Sequence, residues 1–286
     1  MMRPTSVFRR LVSVAVFGAL CLATEAGFAG SRTVESIEIE PGLEWIRLPV
    51  PATGGYSADV AQIVRLDPAR WRLRLLNASV PGEGEPRTAK EWCMAKGLSA
   101  VINASMYQED HRTSVSLMKT GSHTNNGRLS KDRTILGFDR QDPDVPEVQI
   151  IDRDCQDFDS LRRRYGTMVQ SIRMVSCDGR NVWSKETRRT SLACLAVDRD
   201  GRVLLIHVRT PQNPHDFIEL LLAAPLRIRN AMYLEGGSES QLFVRAADRE
   251  MEFVGQPDLG LITPNAAPTA WRIPNVLGVA RRSDRK

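Results

Sequence analysis

The chain has 286 residues, is 42% hydrophobic and 26% charged, and carries a formal net charge of +5 at pH 7. This is the composition of a globular protein with enough apolar residues for a sizeable core, and it excludes a disordered or low-complexity chain. The arginines are scattered, as in Arg162-Arg163-Arg164 and Arg227-Ile228-Arg229, without interleaved aromatics, so no nucleic-acid partner is expected.

The first element is a leader. Arg3, Arg9 and Arg10 precede an apolar run from Leu11 to Ala23, and Gly27-Phe28-Ala29 supplies small residues at a cleavage position. This pattern predicts a signal peptide over residues 1–29 and a single domain over 30–286. The run is shorter than the about 20 residues a bilayer span needs. The expectation is an exported protein of the periplasm or cell envelope, with no stable membrane span once the leader is removed. Arg3, Arg9, Arg10 and Glu25 together contribute +2, so the remainder carries +3.

Strands are predicted next. Glu44–Val50 alternates loosely, while Gln62–Leu66 and Trp71–Leu76 alternate well around an Asp67-Pro68 turn. Arg87–Gly97 reads as a short helix. Thr88 is its N-cap, Glu91 completes a capping box and Gly97 stops it. Ser99–Ile102 follows as a buried strand ending at Asn103. Gly121–Gly127 is turn chemistry. Thr134–Phe138 and Glu147–Ile151 are strand candidates, and Ser191–Val197 and Val203–Val208 form a strong hairpin around Asp198–Gly201. Asn213 caps a second helix that has Pro214 at its first position and ends before Pro225. Ala231–Leu234 is a strand running into Glu235-Gly236-Gly237-Ser238. The expected fold class is mixed α/β (α+β): one domain with a strand-rich sheet and a few packed helices.

Beyond the leader, Cys93, Cys155, Cys177 and Cys194 permit two disulfides in three connectivities. Cys155 with Cys177 is the leading pair, because both lie in loop-like sequence, whereas Cys93 and Cys194 sit in apolar contexts that suit buried thiols. There is no CxxC and no His at ligand spacing from a Cys, so neither a metal nor a cofactor is expected.

Three local features carry chemistry. Glu235 stands where an apolar strand ends, followed by two glycines and a hydroxyl. The glycines permit positive φ and close approach, successive amides suit an anion, and Ser238 adds a donor. The carboxylate suits acid, base or nucleophilic work, although a tight turn with a solvated Glu explains the same residues equally well. Asn103 closes a buried strand, where its amide can orient a polar ligand or merely tolerate a left-handed turn. Arg188-Arg189-Thr190-Ser191 enters a strong strand. A fixed guanidinium there suits phosphate, but a strand-edge charge is the plainer reading.

Taken in order, the Trp92 helix, Ile102-Asn103-Ala104-Ser105-Met106-Tyr107, the Gly121–Gly127 loop, Val169-Gln170-Ser171, Asp178-Gly179, Arg189-Thr190-Ser191 and Leu234–Leu242 resemble the phosphodiester glycosidase family. The resemblance runs from about Arg72 to Val279. It implies hydrolysis that releases a sugar from a sugar-phosphate diester or related envelope glycan, which would be the partner. The family's Asn falls on Asn103, its Arg-Thr on Arg189 and Thr190, and its acidic-Gly-Gly-x-Ser block on Glu235, Gly236, Gly237 and Ser240. On this resemblance Glu235 is the working carboxylate, Arg189 and the Gly236 and Gly237 amides hold phosphate, and Asn103 and Ser238 orient the sugar. Asp110 or Glu109 would be the second carboxylate that glycoside hydrolysis commonly needs. The chain has Asn-Ala-Ser-Met-Tyr where the family pattern has Asn-Gly-Gly-Phe-Phe, and Glu235 where it has Asp. A non-catalytic envelope protein that binds a phosphorylated glycan or exopolysaccharide is the alternative.

Overall fold

A computed structural model describes residues 33–52, 55–246, 249–256 and 269–282. The leader expected over residues 1–29 lies outside them. In chain order the elements are β1 (Glu35–Glu40), β2 (Leu43–Val50), β3 (Asp59–Leu66), β4 (Trp71–Asn77), α1 (Ala89–Lys96), β5 (Ala100–Asn103), β6 (Met118–Lys119), β7 (Thr124–Asn126), β8 (Thr134–Arg140), β9 (Val148–Asp152) and α2 (Phe158–Leu161). They continue as β10 (Tyr165–Ser171), β11 (Arg173–Val175), β12 (Thr190–Asp198), β13 (Val203–Gln212), α3 (Pro214–Ala223), β14 (Ile228–Gly236), a 3₁₀ turn (Gly237–Glu239), β15 (Gln241–Ala246), β16 (Arg249–Val254) and β17 (Asn275–Arg281). Among the described residues the fold is mixed but mostly β, with three helices set against three sheets, rather than a balanced α+β arrangement.

The seven-stranded sheet runs β1-β2-β3-β13-β12-β14-β11, and the two five-stranded sheets run β7-β6-β10-β8-β9 and β16-β15-β5-β17-β4. One face of each sheet meets a common core that takes in Leu66, Trp71, Ile102, Phe138, Leu195 and Leu277. The other face of each sheet is covered by a helix: Phe217 and Leu221 of α3 meet Leu192 and Cys194, Trp92 and Cys93 of α1 meet Val101 and Phe243, and Phe158 of α2 meets Ile135 and Ile151. β12 is therefore buried along its whole length, which explains its unbroken apolar run.

The helix signals act as read from the sequence. Thr88 and Glu91 form the capping box of α1, and Gly97 ends it in the left-handed region at φ 59°. Asn213 accepts the Asp216 amide at the start of α3. Cys155 and Cys177 form a disulfide, while Cys93 and Cys194 are buried thiols. No helix among the described residues is long and apolar enough to cross a membrane.

Candidate functional site

The Glu235 motif lies at a crossing between sheets. β14 belongs to the seven-stranded sheet, and the chain leaves it after Gly236, makes one 3₁₀ turn and enters β15 of a five-stranded sheet. The turn has to be built tightly, and the glycines serve it in different ways. Gly237 adopts φ 60°, where a side chain would be strained. Gly236 is extended, at φ −135°. Its constraint is space, since a Cβ there would collide with the Tyr233 hydroxyl and press on Thr190 Oγ1.

Asn103 braces this turn from behind. Its Nδ2 donates to the Glu239 carbonyl at 2.8 Å, and its Oδ1 accepts the Gln241 amide at 2.7 Å. Ser240 Oγ donates to the Gly237 carbonyl at 2.8 Å. His207 is fully buried beneath it, with Nε2 3.2 Å from the Ser240 carbonyl. Burial lowers the His207 pKa to about 4, so the ring is neutral and Nε2–H is the donor.

In front of the turn is a cleft of about 620 Å³. Among the described residues, Glu235, Gly236, Gly237, Ser238, Glu239 and Thr190 line it together with Met106, Tyr107, Val115, Arg188, Tyr233 and Trp271. Glu235 keeps a little surface open to the cleft and is otherwise enclosed by protein. Its pKa is pushed up to about 8, chiefly by loss of solvation; the Gly236 amide, donating to Oε1 at 3.0 Å, works against this, and the Glu239 carboxylate adds to it. Glu235 therefore holds its proton at neutral pH. The Tyr107 phenol is also driven upward by burial and by the fields of Glu239 and Glu235, and stays a donor.

The structure thus gathers Glu235, Gly236, Gly237, Ser238 and Thr190 at one cleft and puts other sequence candidates elsewhere. Asn103 and Ser240 do not line the cleft; their side chains bond to the turn behind it. The two amides expected to cradle an anion are already engaged, Gly236 N–H by Glu235 and Gly237 N–H by Thr190 Oγ1 at 2.9 Å. Arg188 lines the cleft in place of Arg189, whose Nη1 is buried without a hydrogen-bond partner among the described residues. Asp110 is exposed and spent on its own loop, where its carboxylate accepts the Thr113 hydroxyl at 2.5 Å and the Arg112 amide at 3.0 Å. Glu109 is exposed as well and does not line the cleft. Among the described residues, the second carboxylate in the cleft is Glu239. Its signal was its place inside the same motif, one turn after Glu235. Trp271 lies far along the chain from the motif and gave no local sign.

Outside the cleft, Asp152 is buried against Cys155 and Cys177, but the two sulfurs are bonded to each other and Arg173 Nη1 holds the carboxylate at 2.9 Å.

A sequence profile for phosphodiester glycosidases matches residues 96–280, well over half of the chain. No curated protein matches by sequence. Among solved structures, a hypothetical protein from Synechocystis is similar with a TM-score of 0.56 at 15% identity; the match covers 89% of this chain but 65% of that one. The catalytic domain of zebrafish N-acetylglucosamine-1-phosphodiester alpha-N-acetylglucosaminidase, auto-inhibited by its pro-peptide, is similar with a TM-score of 0.58 at 12% identity, covering 87% of this chain and 88% of that one. At such identities the structural likeness speaks for the fold alone.

Proposed function

The chain belongs to the phosphodiester glycosidase family, and we propose that it is an exported hydrolase that releases a sugar from a sugar-phosphate diester at the cleft of Glu235. The observation that carries this reading is a protonated carboxyl placed beside a second carboxylate in one cleft. A phosphodiester is an anion, and two charged carboxylates would repel it. Neutral Glu235 removes that conflict, because a carboxylic acid donates to a phosphate oxygen.

In the reaction the sugar–oxygen bond breaks and the electron pair leaves with the phosphate oxygen. Glu235 passes its proton toward that oxygen as the bond lengthens. Water adds to the anomeric carbon and gives its proton to Glu239, and solvent restores the proton of Glu235. Ser238 and the Tyr107 phenol are the neutral donors lining the same cleft. The cleft-lining Arg188 is the cation for the phosphate, and Arg189 stands next to it in the chain without lining the cleft. Asn103, Ser240, Gly236 and Gly237 act by positioning Glu235 and Glu239 rather than by touching substrate.

Export is supported by the basic-apolar-small pattern over residues 1–29 and by the Cys155–Cys177 disulfide, which suits an oxidising compartment such as the periplasm. Binding without turnover is the second reading. Met106 and Tyr107 favour it, since they occupy cleft positions where the family pattern has Phe-Phe after paired glycines.

The test is hydrolysis of a panel of sugar-1-phosphodiesters by wild type and Glu235→Gln. Release by wild type, cut roughly 10²–10⁴-fold in the variant, is the expected result. Saturable binding without release would replace hydrolysis with the binding reading, and full activity of the variant would remove Glu235 from the chemistry.

A further inference from the structure

Ile37, Met94, Leu129 and Val182 are large hydrophobic side chains exposed at the surface, and none of them lines the cleft. Trp271 is the exception. The residue is 49% exposed, and it forms part of the wall shared with Glu235 and Glu239. Leaving Trp271 half in water forgoes burial that Trp71 and Trp92 obtain.

The backbone that carries this indole is tied down. The Trp271 carbonyl accepts Gln241 Nε2 at 2.8 Å, and Gln241 is buried with its other side-chain atom on the Ala89 amide at 2.9 Å. Arg272 donates to the Pro86 carbonyl at 3.2 Å and pairs with Glu91 at 3.3 Å. Ile273 is buried and bonds through its backbone to Arg87. Gln241 is also the residue whose amide Asn103 Oδ1 holds, so one chain of contacts fixes the backbone of both Trp271 and the Glu235–Glu239 turn. The backbone that carries Trp271 and the turn that carries the carboxylates are thereby tied to one buried residue, and both side chains line the same cleft.

We propose that Trp271 is an aromatic platform on which the pyranose ring of the substrate stacks by its C–H face, setting the sugar's position against Glu235 and Glu239. An indole face carries negative charge density and the C–H face of a pyranose is weakly positive and apolar, so the contact suits a sugar and offers nothing to a phosphate. The inference rests on the reading that the cleft takes a sugar, but not on turnover. It also divides the cleft, with the sugar on the Trp271 side and the phosphate toward Arg188 and Thr190.

The test uses probes that carry no phosphate. N-acetylglucosamine and the plain hexoses are screened against the chain by ligand-observed saturation-transfer NMR, which reads the ligand and so does not depend on the tryptophan removed. Wild type is expected to bind at least one of them, Trp271→Ala to lose binding and Trp271→Phe to keep part of it, all with the same thermal melt. With a hydrolysed diester, Trp271→Ala raises KM about tenfold and leaves kcat within about twofold. Sugar binding unchanged in Trp271→Ala, or no sugar bound by wild type together with an unchanged KM, overturns the platform. Loss of sugar binding in the variant when wild type hydrolyses no diester upholds the platform and overturns only the hydrolase reading.

Discussion

Replacing Glu235 by Gln should abolish the pH dependence that this one side chain imposes on stability. The folded chain holds the Glu235 proton up to about pH 8, whereas an unfolded glutamate releases it near 4.5. Between those values the native state binds more protons than the unfolded one, so the contribution is fully present at low pH and is lost as pH rises through the window. At about 1.4 kcal/mol per pKa unit, the ceiling on the loss is roughly 4–5 kcal/mol. Water reaching the cleft face of the side chain screens part of this, and ~2 kcal/mol is the expected size. Glutamine keeps an oxygen for the Gly236 amide and has no proton to lose. The assay is urea unfolding of wild type and variant from about pH 5 to about pH 9. Their stabilities should nearly coincide at the acid end, with the variant pulling ahead toward the alkaline end. His207, neutral and low in pKa, gives the opposite trend as pH falls from 6.5 toward 4, but it is common to both proteins and cancels in the difference. A difference that does not change with pH would refute the claim that burial holds the proton on Glu235.

Two further substitutions separate shape from chemistry. Asn103→Ala removes both bonds to the turn and leaves a buried amide and carbonyl unpaired; it should cost about 2–3 kcal/mol in chemical denaturation and lower kcat without a large rise in KM. Gly236→Ala has no φ to strain but drives a methyl group into the Tyr233 hydroxyl and Thr190; it should damage turnover by about 10²-fold, whereas Gly237→Ala, at φ 60°, should appear first as ~1–2 kcal/mol of lost stability in the melt.

Much of the scaffold was legible because its signals are local. The capping box at Thr88 and Glu91, the stop at Gly97, the Asn213-Pro214 start and the alternation in β3 and β4 each depend on neighbours in sequence. The strands that could not be read, such as β10 with its Gly166 and Gln170 and β16 with its five charged or half-exposed positions, owe their form to partners across the sheet. The same division runs through the site. Glu235, Gly236, Gly237 and Ser238 announce themselves as one motif. That Asn103 and Ser240 work behind the turn, that Arg188 and not Arg189 reaches the cleft, and that Trp271 joins it are consequences of side-chain direction and of long-range pairing, which spacing does not encode. The balance of strand to helix was misjudged for a related reason: short, half-polar edge strands leave little periodicity to count.

The bracing of the turn by Asn103 makes the cleft a late product of folding. Asn103 and Gln241 stand 138 positions apart in the chain, and their bond requires β5 and β15 already to lie side by side. Contacts between such distant segments close slowly, since a long loop must be ordered before they form. No fragment that ends before β15 can hold the carboxylates in place, and a chain still incomplete or still extended carries no competent cleft. Appearance of ligand binding during refolding would therefore report completion of the three-sheet assembly, and the molecule stays inert until its architecture is whole.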